Sequence, residues 1–71
     1  MTKLDKKYSY QYLSTYVRDN RRADTFKRND GVFGIEMLIN NELTRREVYE
    51  NKALSYAEAA AENFVDGIKN V

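Results

Sequence analysis

The last third of the chain has the hydrophobic spacing of an α-helix. Ser55 and Glu58 form a capping-box signature, in which each side chain can bond a free backbone N–H of the first turn. Three alanines, the strongest helix formers, follow at 59–61. Apolar residues then fall on one face at the 3.6-residue period: Ala57, Ala60, Ala61, Phe64, Ile68 and Val71. The pattern predicts a helix over residues 56–69.

A similar start signal precedes it. Thr44 and Glu47 repeat the capping signature, with Leu43 and Val48 at the spacing of a hydrophobic staple. This predicts a separate helix over residues 45–54. One long helix stays open as an alternative, because one continuous apolar stripe also joins the two segments: Tyr49, Ala53, Tyr56, Ala60, Phe64 and Val71.

The middle of the chain allows two interpretations. Asn29-Asp30-Gly31 is a strong turn signal. After it, Val32, Ile35, Leu38 and Ile39 match helical spacing with Asp30 as the N-cap, which favours a mostly buried helix over residues 31–41. The alternative is a hairpin that pairs residues 25–28 with residues 32–36, using the alternation of Ile35, Met37 and Ile39.

The first segment has the same ambiguity. Tyr8, Tyr10 and Tyr12 alternate as in a strand, whereas Tyr8, Tyr12 and Tyr16 lie on one helical face together with Leu13 and Val17. Ser9 can cap such a helix. The sequence therefore favours a helix over residues 9–20.

Together these elements predict an all-α fold, with residues 1–71 forming one small bundle of three to four short helices. The alternative is an α+β fold with a hairpin around residues 25–36. The predicted core consists of Leu13, Val17, Ile35, Leu38, Ile39, Val48, Phe64 and Ile68.

Composition excludes several kinds of chemistry. The 71 residues include no Cys, His, Trp or Pro, so thiolate nucleophiles, Cys/His zinc sites and imidazole acid–base catalysis are absent. Carboxylate pairs at helical spacing, such as Glu58 with Glu62, are typical of solvated helix faces. We therefore expect a protein that is not an enzyme and needs no cofactor or metal. No apolar run approaches the ~20 residues of a membrane span, and the N-terminus has no signal-like apolar region, so we expect a cytoplasmic protein that does not enter membranes.

Charge and aromatic content point to binding. The net charge of +1 conceals a charge of +4 on residues 1–30 and −3 on residues 31–71. Four of the six tyrosines lie between residues 8 and 16, and five bases follow between 18 and 28. Tyr and Arg are frequent anchors of protein interfaces. The candidate partner-binding residues are Tyr10, Tyr16, Arg18, Arg21 and Arg22.

These features predict a small interaction module that regulates or inhibits a macromolecular partner, most readily another protein, by binding its surface. The alternative is a DNA- or RNA-binding protein that uses the basic half, which Asp19 and Asp24 disfavour because they repel phosphate. A structural interpretation also stands, in which the tyrosines fill the core and the arginines form a solvated face. A chain this small buries little surface, so a homodimer is compatible with it as well.

Overall fold

The protein is an antiparallel sheet with one helix, and the all-α prediction is wrong. The computed structural model describes residues 8–67. Four strands pair in chain order and one helix follows them: β1 (Tyr10–Arg18), β2 (Arg21–Arg28), β3 (Phe33–Ile39), β4 (Glu42–Tyr49) and α1 (Leu54–Val65). The helix lies against β1, β2 and β3. Within the described residues, no helix has the length and apolar character to cross a membrane.

The central strand β3 replaces the helix predicted over residues 31–41. Ile35 and Met37 face α1 and are fully buried, whereas Glu36 points to the opposite side. Asp30 does not cap a helix, since its carboxylate accepts hydrogen bonds from Arg28 and from the N–H of Val32 within the turn. Residues 25–27 pair with residues 33–35 across that turn, which is the hairpin considered as the alternative.

Two further tight turns separate the strands. Asn40 and Asn41 both have positive φ, 54° and 67°, and join the paired residues Ile39 and Glu42. Asn tolerates this conformation, and a two-residue turn with two positive φ angles matches the twist of a hairpin. Asp19, with φ 56°, begins the turn between β1 and β2. The N–H of Asn40 donates to the carbonyl of Asn20 at 2.8 Å, so both turns lie at one end of the sheet.

The helices predicted over residues 9–20 and 45–54 are also wrong. A bulge between Tyr12 and Ser14 shifts the alternation of β1, so that Tyr12 lies on one face and Tyr16 on the other. In β4, the Thr44 hydroxyl donates to the carbonyl of Met37 on β3 at 3.0 Å and caps no helix. The register shifts there as well, so both edge strands carry an irregularity.

The helix predicted over residues 56–69 exists, with different limits. It begins at Leu54, its N-cap is Ala53, and no side chain caps it, so Ser55 lies inside the first turn. Ala57, Ala61 and Phe64 are buried as the spacing predicted. Residues 68–71, including Ile68 and Val71, lie outside the described residues. One long helix over residues 45–69 is likewise wrong, because residues 42–49 form β4.

The main core lies between α1 and the face of the sheet that it covers. Its buried members are Ala23, Ile35, Met37, Ala57, Ala61, Phe64 and Val65. The small side chains of Ala23, Ala57 and Ala61 let the helix approach the strands closely. Of the other predicted core residues, Leu38 and Ile39 are half-buried, whereas Leu13, Val17 and Val48 are exposed.

A second apolar cluster lies on the opposite side, which we call the open face. Phe26 is fully buried there although α1, the helix of the described residues, lies on the other side of the sheet. The Tyr10 and Tyr12 rings meet the Phe26 ring edge-on, with centroids 5.1 and 6.2 Å away. Phe26 also lies over Gly34, its partner on β3, where the missing side chain leaves room for the ring. An aromatic ring thus covers the bare backbone of a strand glycine.

Gly34→Ala tests this packing. The added methyl would collide with the carbonyl oxygen of Glu47 and lie 2.7 Å from Cζ of Phe26. We expect a loss of about 2 kcal/mol or more in the free energy of unfolding, measured by urea titration. Gly31→Ala is the comparison, since its methyl meets nothing within 4 Å and only its positive φ of 92° opposes it, at about 1 kcal/mol. Equal losses in the two variants would contradict the packing of Phe26 on Gly34.

Candidate functional site

The open face presents three rows of side chains across the four strands. The turn row, nearest the Asp19 and Asn40 turns, consists of Val17, Arg22, Leu38 and Leu43. The polar row consists of Thr15, Asp24, Glu36 and Arg46. The aromatic row consists of Tyr12, Phe26, Gly34 and Val48. Each strand supplies one residue to each row, because alternate residues of a strand face the same side.

Glu36 is the centre of one hydrogen-bond network in the polar row. Its Oε2 accepts from the Tyr12 hydroxyl at 2.8 Å and from Nε and Nη2 of Arg46 at 3.0 and 2.6 Å. The guanidinium of Arg46 also lies over the Tyr10 ring, 4.8 Å from its centroid. Tyr12 and Arg46 reach Glu36 from the two edge strands and so tie the sheet together across its face.

Asp24 organises the neighbouring network. Its Oδ1 accepts from the Thr15 hydroxyl at 2.7 Å and from Nε of Arg22 at 3.2 Å. No buried side-chain nitrogen or oxygen among residues 8–67 lacks a hydrogen-bond partner. The buried polar groups in the middle of the open face therefore have their hydrogen bonds satisfied by the protein itself.

The two ends of the open face are less covered. Val17 and Leu43 of the turn row are 65% and 54% exposed. At the other end Tyr12 and Val48 are 53% and 39% exposed. Beside the turn row lies a depression of about 270 Å³, lined in part by Val17, Arg22 and the Asn40–Asn41 turn. Exposed apolar side chains on a rigid sheet, next to a depression, are suited to contact with another molecule.

The five predicted binding residues are divided between the two sides of the sheet. Tyr10 and Arg22 lie on the open face. Tyr16 packs against the main core under α1. Arg18 pairs with Asp66 at 3.0 Å, and Arg21 donates to the carbonyl of Phe64 at 2.9 Å, so both act where the helix ends. The structure does not gather these five side chains on one surface.

Sequence reasoning missed the exposed apolar residues of the open face. Val17 and Val48 were predicted as core, and Leu43 as a helix staple. Tyr12 was predicted on a helical stripe with Tyr16. Alternation along β1 was the signal that would have placed Tyr12 on the same face as Tyr10. The bulge that puts Tyr16 on the opposite face is seen only in the pairing of β1 with β2.

Most arginines of residues 8–67 form ion pairs. Five arginines pair with carboxylates between 2.6 and 3.2 Å: Arg18 with Asp66, Arg22 with Asp24, Arg28 with Asp30, Arg45 with Glu47 and Arg46 with Glu36. Arg28 also lies 4.0 Å from the centroid of the Tyr8 ring. Within the described ranges only the first of these pairs joins the basic half to the acidic half, so the other four leave the net charges of +4 and −3 unchanged.

The strand edges are poor templates for a further strand. The bulge in β1 and the shifted register in β4 interrupt a regular hydrogen-bonding edge. Charged side chains at Arg45, Arg46 and Glu47 also line β4. These are devices by which natural sheets block edge-to-edge pairing. Contact with a partner is therefore better served by the open face than by either edge.

Residues 8–67 contain no group of three His, Cys, Asp or Glu side chains arranged to hold a metal ion. No protein-family model, curated protein or solved structure matches this chain.

Tyrosine ionisation gives a pH test of these contacts. Burial first, and then the hydrogen bond to a carboxylate, raise the pKa of Tyr12 and of Tyr49, whose hydroxyl donates to Glu47 at 2.6 Å. A phenol whose pKa is higher in the folded protein stabilises it below the ordinary pKa of 10.0, and this contribution is lost as pH rises through the folded value.

We therefore expect the free energy of unfolding of the wild type to fall above about pH 10. In Tyr12→Phe and Tyr49→Phe the free energy of unfolding should fall less steeply with pH than in the wild type. The difference should be larger for Tyr49→Phe, because the pKa of Tyr49 is raised more than that of Tyr12. Urea titrations between about pH 8 and about pH 11 measure this. Three identical pH profiles would show that neither phenol is held by its carboxylate.

Proposed function

We propose that the protein is a small non-enzymatic interaction module that regulates or inhibits a protein partner by covering its surface with the open face. The observation that carries the proposal is the exposure of Val17 and Leu43 on the side of the sheet away from α1. Val17 also lines a depression at the turns that end the sheet. Covering apolar area is favourable by about 25 cal/mol per Å².

Preorganisation supports the same surface. Tyr12 and Arg46 are held by Glu36, and Arg22 is held by Asp24, before any partner arrives. Side chains that are already ordered lose less conformational entropy on binding. Tyr and Arg in such positions are frequent contributors to binding energy at protein interfaces.

A nucleic-acid partner for the basic half has weaker support. Binding to a phosphate backbone uses several uncompensated cations, whereas the arginines of the open face already pair with Asp24, Asp30 and Glu36. Stacking needs exposed aromatic faces. An arginine guanidinium already lies over each of the Tyr8 and Tyr10 rings, and Phe26 is buried. Tyr12 is therefore the main aromatic ring of this face on which a base could stack.

Affinity capture from the native host, with mass spectrometry, tests the proposal when wild type is compared with Val17→Ser and Leu43→Ser. Both changes remove exposed apolar side chains of the turn row and should not disturb the core. Each variant should lose most of the bound partner, with at least a tenfold fall in recovery, because the apolar contact area is lost.

The matched control is Tyr56→Ser, which removes a side chain of similar exposure, 49%, from α1 on the other side of the sheet. Circular dichroism checks that each variant is folded. Recovery of the same proteins by all four chains would contradict binding through the open face. Loss of every captured protein on nuclease treatment would instead favour the nucleic-acid function.

A further inference from the structure

The ion pairs of the open face are asymmetric in exposure. The side chain of Asp24 is 11% exposed and that of its partner Arg22 is 46% exposed. For Glu36 and Arg46 the values are 13% and 37%. In both pairs the carboxylate lies beneath and the guanidinium lies outermost. A molecule approaching the turn row and the polar row therefore meets positive groups first, although each pair is formally neutral. Beyond the aromatic row the order is reversed, because Arg28 is 11% exposed and Asp30 is 41% exposed.

The two guanidinium groups also keep unused donors. Arg46 gives Nε and Nη2 to Glu36, and Arg22 gives Nε to Asp24. Among the described residues, Nη1 of Arg46 and both Nη atoms of Arg22 have no acceptor. A guanidinium has five N–H groups, and charge-assisted bonds from it to a carboxylate are among the strongest in proteins.

These donors lie beside the exposed apolar residues. Arg22 belongs to the turn row and lies between Val17 and Leu38 across the strands. Arg46 is two strands and one row away, about 12 Å by ordinary sheet spacing. A single short segment can reach both arginines while it also covers Leu38 and Leu43.

We propose that the partner surface recognised by the open face is an acidic protein segment. Its carboxylates accept from Arg22 and Arg46, and its apolar side chains pack on Val17 and Leu43. This inference rests on the proposed function and specifies the chemistry of the partner.

The apolar residues distinguish such a segment from a nucleic acid. Val17, Leu38 and Leu43 flank the cationic groups, and a phosphate backbone has no apolar side chain to cover them. Asp24 and Glu36 lie directly under the arginines and would repel a chain of phosphates, whereas one or two carboxylates placed on the outer donors avoid close approach to them.

Selection from a random peptide display library on the immobilised full chain tests the inference. The peptides that bind should be rich in Asp or Glu together with Leu, Phe or Ile. A selected peptide is then synthesised with its acidic residues and again with each replaced by the corresponding amide. The amide form should bind at least about tenfold more weakly, the usual loss for a charge-assisted hydrogen bond.

Substitutions in the protein locate the contact. Arg22→Gln and Arg46→Gln should each weaken the acidic peptide about tenfold. Arg45→Gln is the matched control, because it removes the same charge from the adjacent position of β4, on the side facing away from the open face, and should leave binding unchanged. If Arg46→Gln does not fold, Arg22→Gln alone tests the contact with the peptide. Arg22→Gln should fold, because Asp24 still accepts a hydrogen bond from Thr15.

The other outcomes separate the two proposals. Neutral or basic peptides that lose binding in Leu43→Ser would overturn the acidic partner and retain the open face as the binding surface. If the acidic peptides bind Arg22→Gln, Arg46→Gln and Leu43→Ser as tightly as the wild type, both the acidic partner and the open face as the binding surface would be overturned. A selection with no enrichment over the bare support overturns the acidic partner. A thymidine oligonucleotide that binds more tightly than the selected peptide, and depends on Arg22, assigns the face to nucleic acid instead.

Discussion

One helix covers only one face of a four-stranded sheet, and the rest of the structure depends on how the other face is completed. Residues on the covered face pack on α1 and form an ordinary apolar core. On the open face Phe26 has no helix above it, so the Tyr10 and Tyr12 rings and the space over Gly34 bury it instead. Next to this cluster, Tyr12 and Arg46 reach across from the edge strands to cover Glu36, whereas Asp24 is covered by Arg22 of its own strand.

This arrangement makes the open face polar at its centre, with apolar residues left at its ends. An antiparallel sheet tolerates water on one side when that side is satisfied in this manner. Four of the five ion pairs lie within one half of the sequence, and three of them join residues two positions apart. The outer surface of the arginines and the side chains of Val17 and Leu43 stay exposed on this face.

The sequence predicted the C-terminal helix because its alanines and its apolar spacing are local properties of residues 54–65. It failed for the sheet because β3 satisfies two periods at once: Ile35, Met37 and Ile39 fit a strand, and Val32, Ile35 and Ile39 fit a helix. The Asn40-Asn41 turn was the signal for a hairpin that the helical interpretation left unused. For the site, Tyr10 and Arg22 were predicted and lie on the open face, but Tyr16, Arg18 and Arg21 lie on the side of α1. Bulges in β1 and β4 decide which residues share a face, and they are a property of strand pairing that spacing alone does not reveal.

NMR with a soluble paramagnetic gadolinium chelate measures the exposure of individual side chains in solution. If the open face is completed by its own side chains, relaxation enhancement should be strong for the methyl groups of Val17 and Leu43 and weak for those of Ile35 and Met37. The Phe26 ring should be protected as well, although it lies on the same side of the sheet as Val17. Protection of the Val17 and Leu43 methyl groups, or strong enhancement at Phe26, would contradict an open face completed by its own side chains.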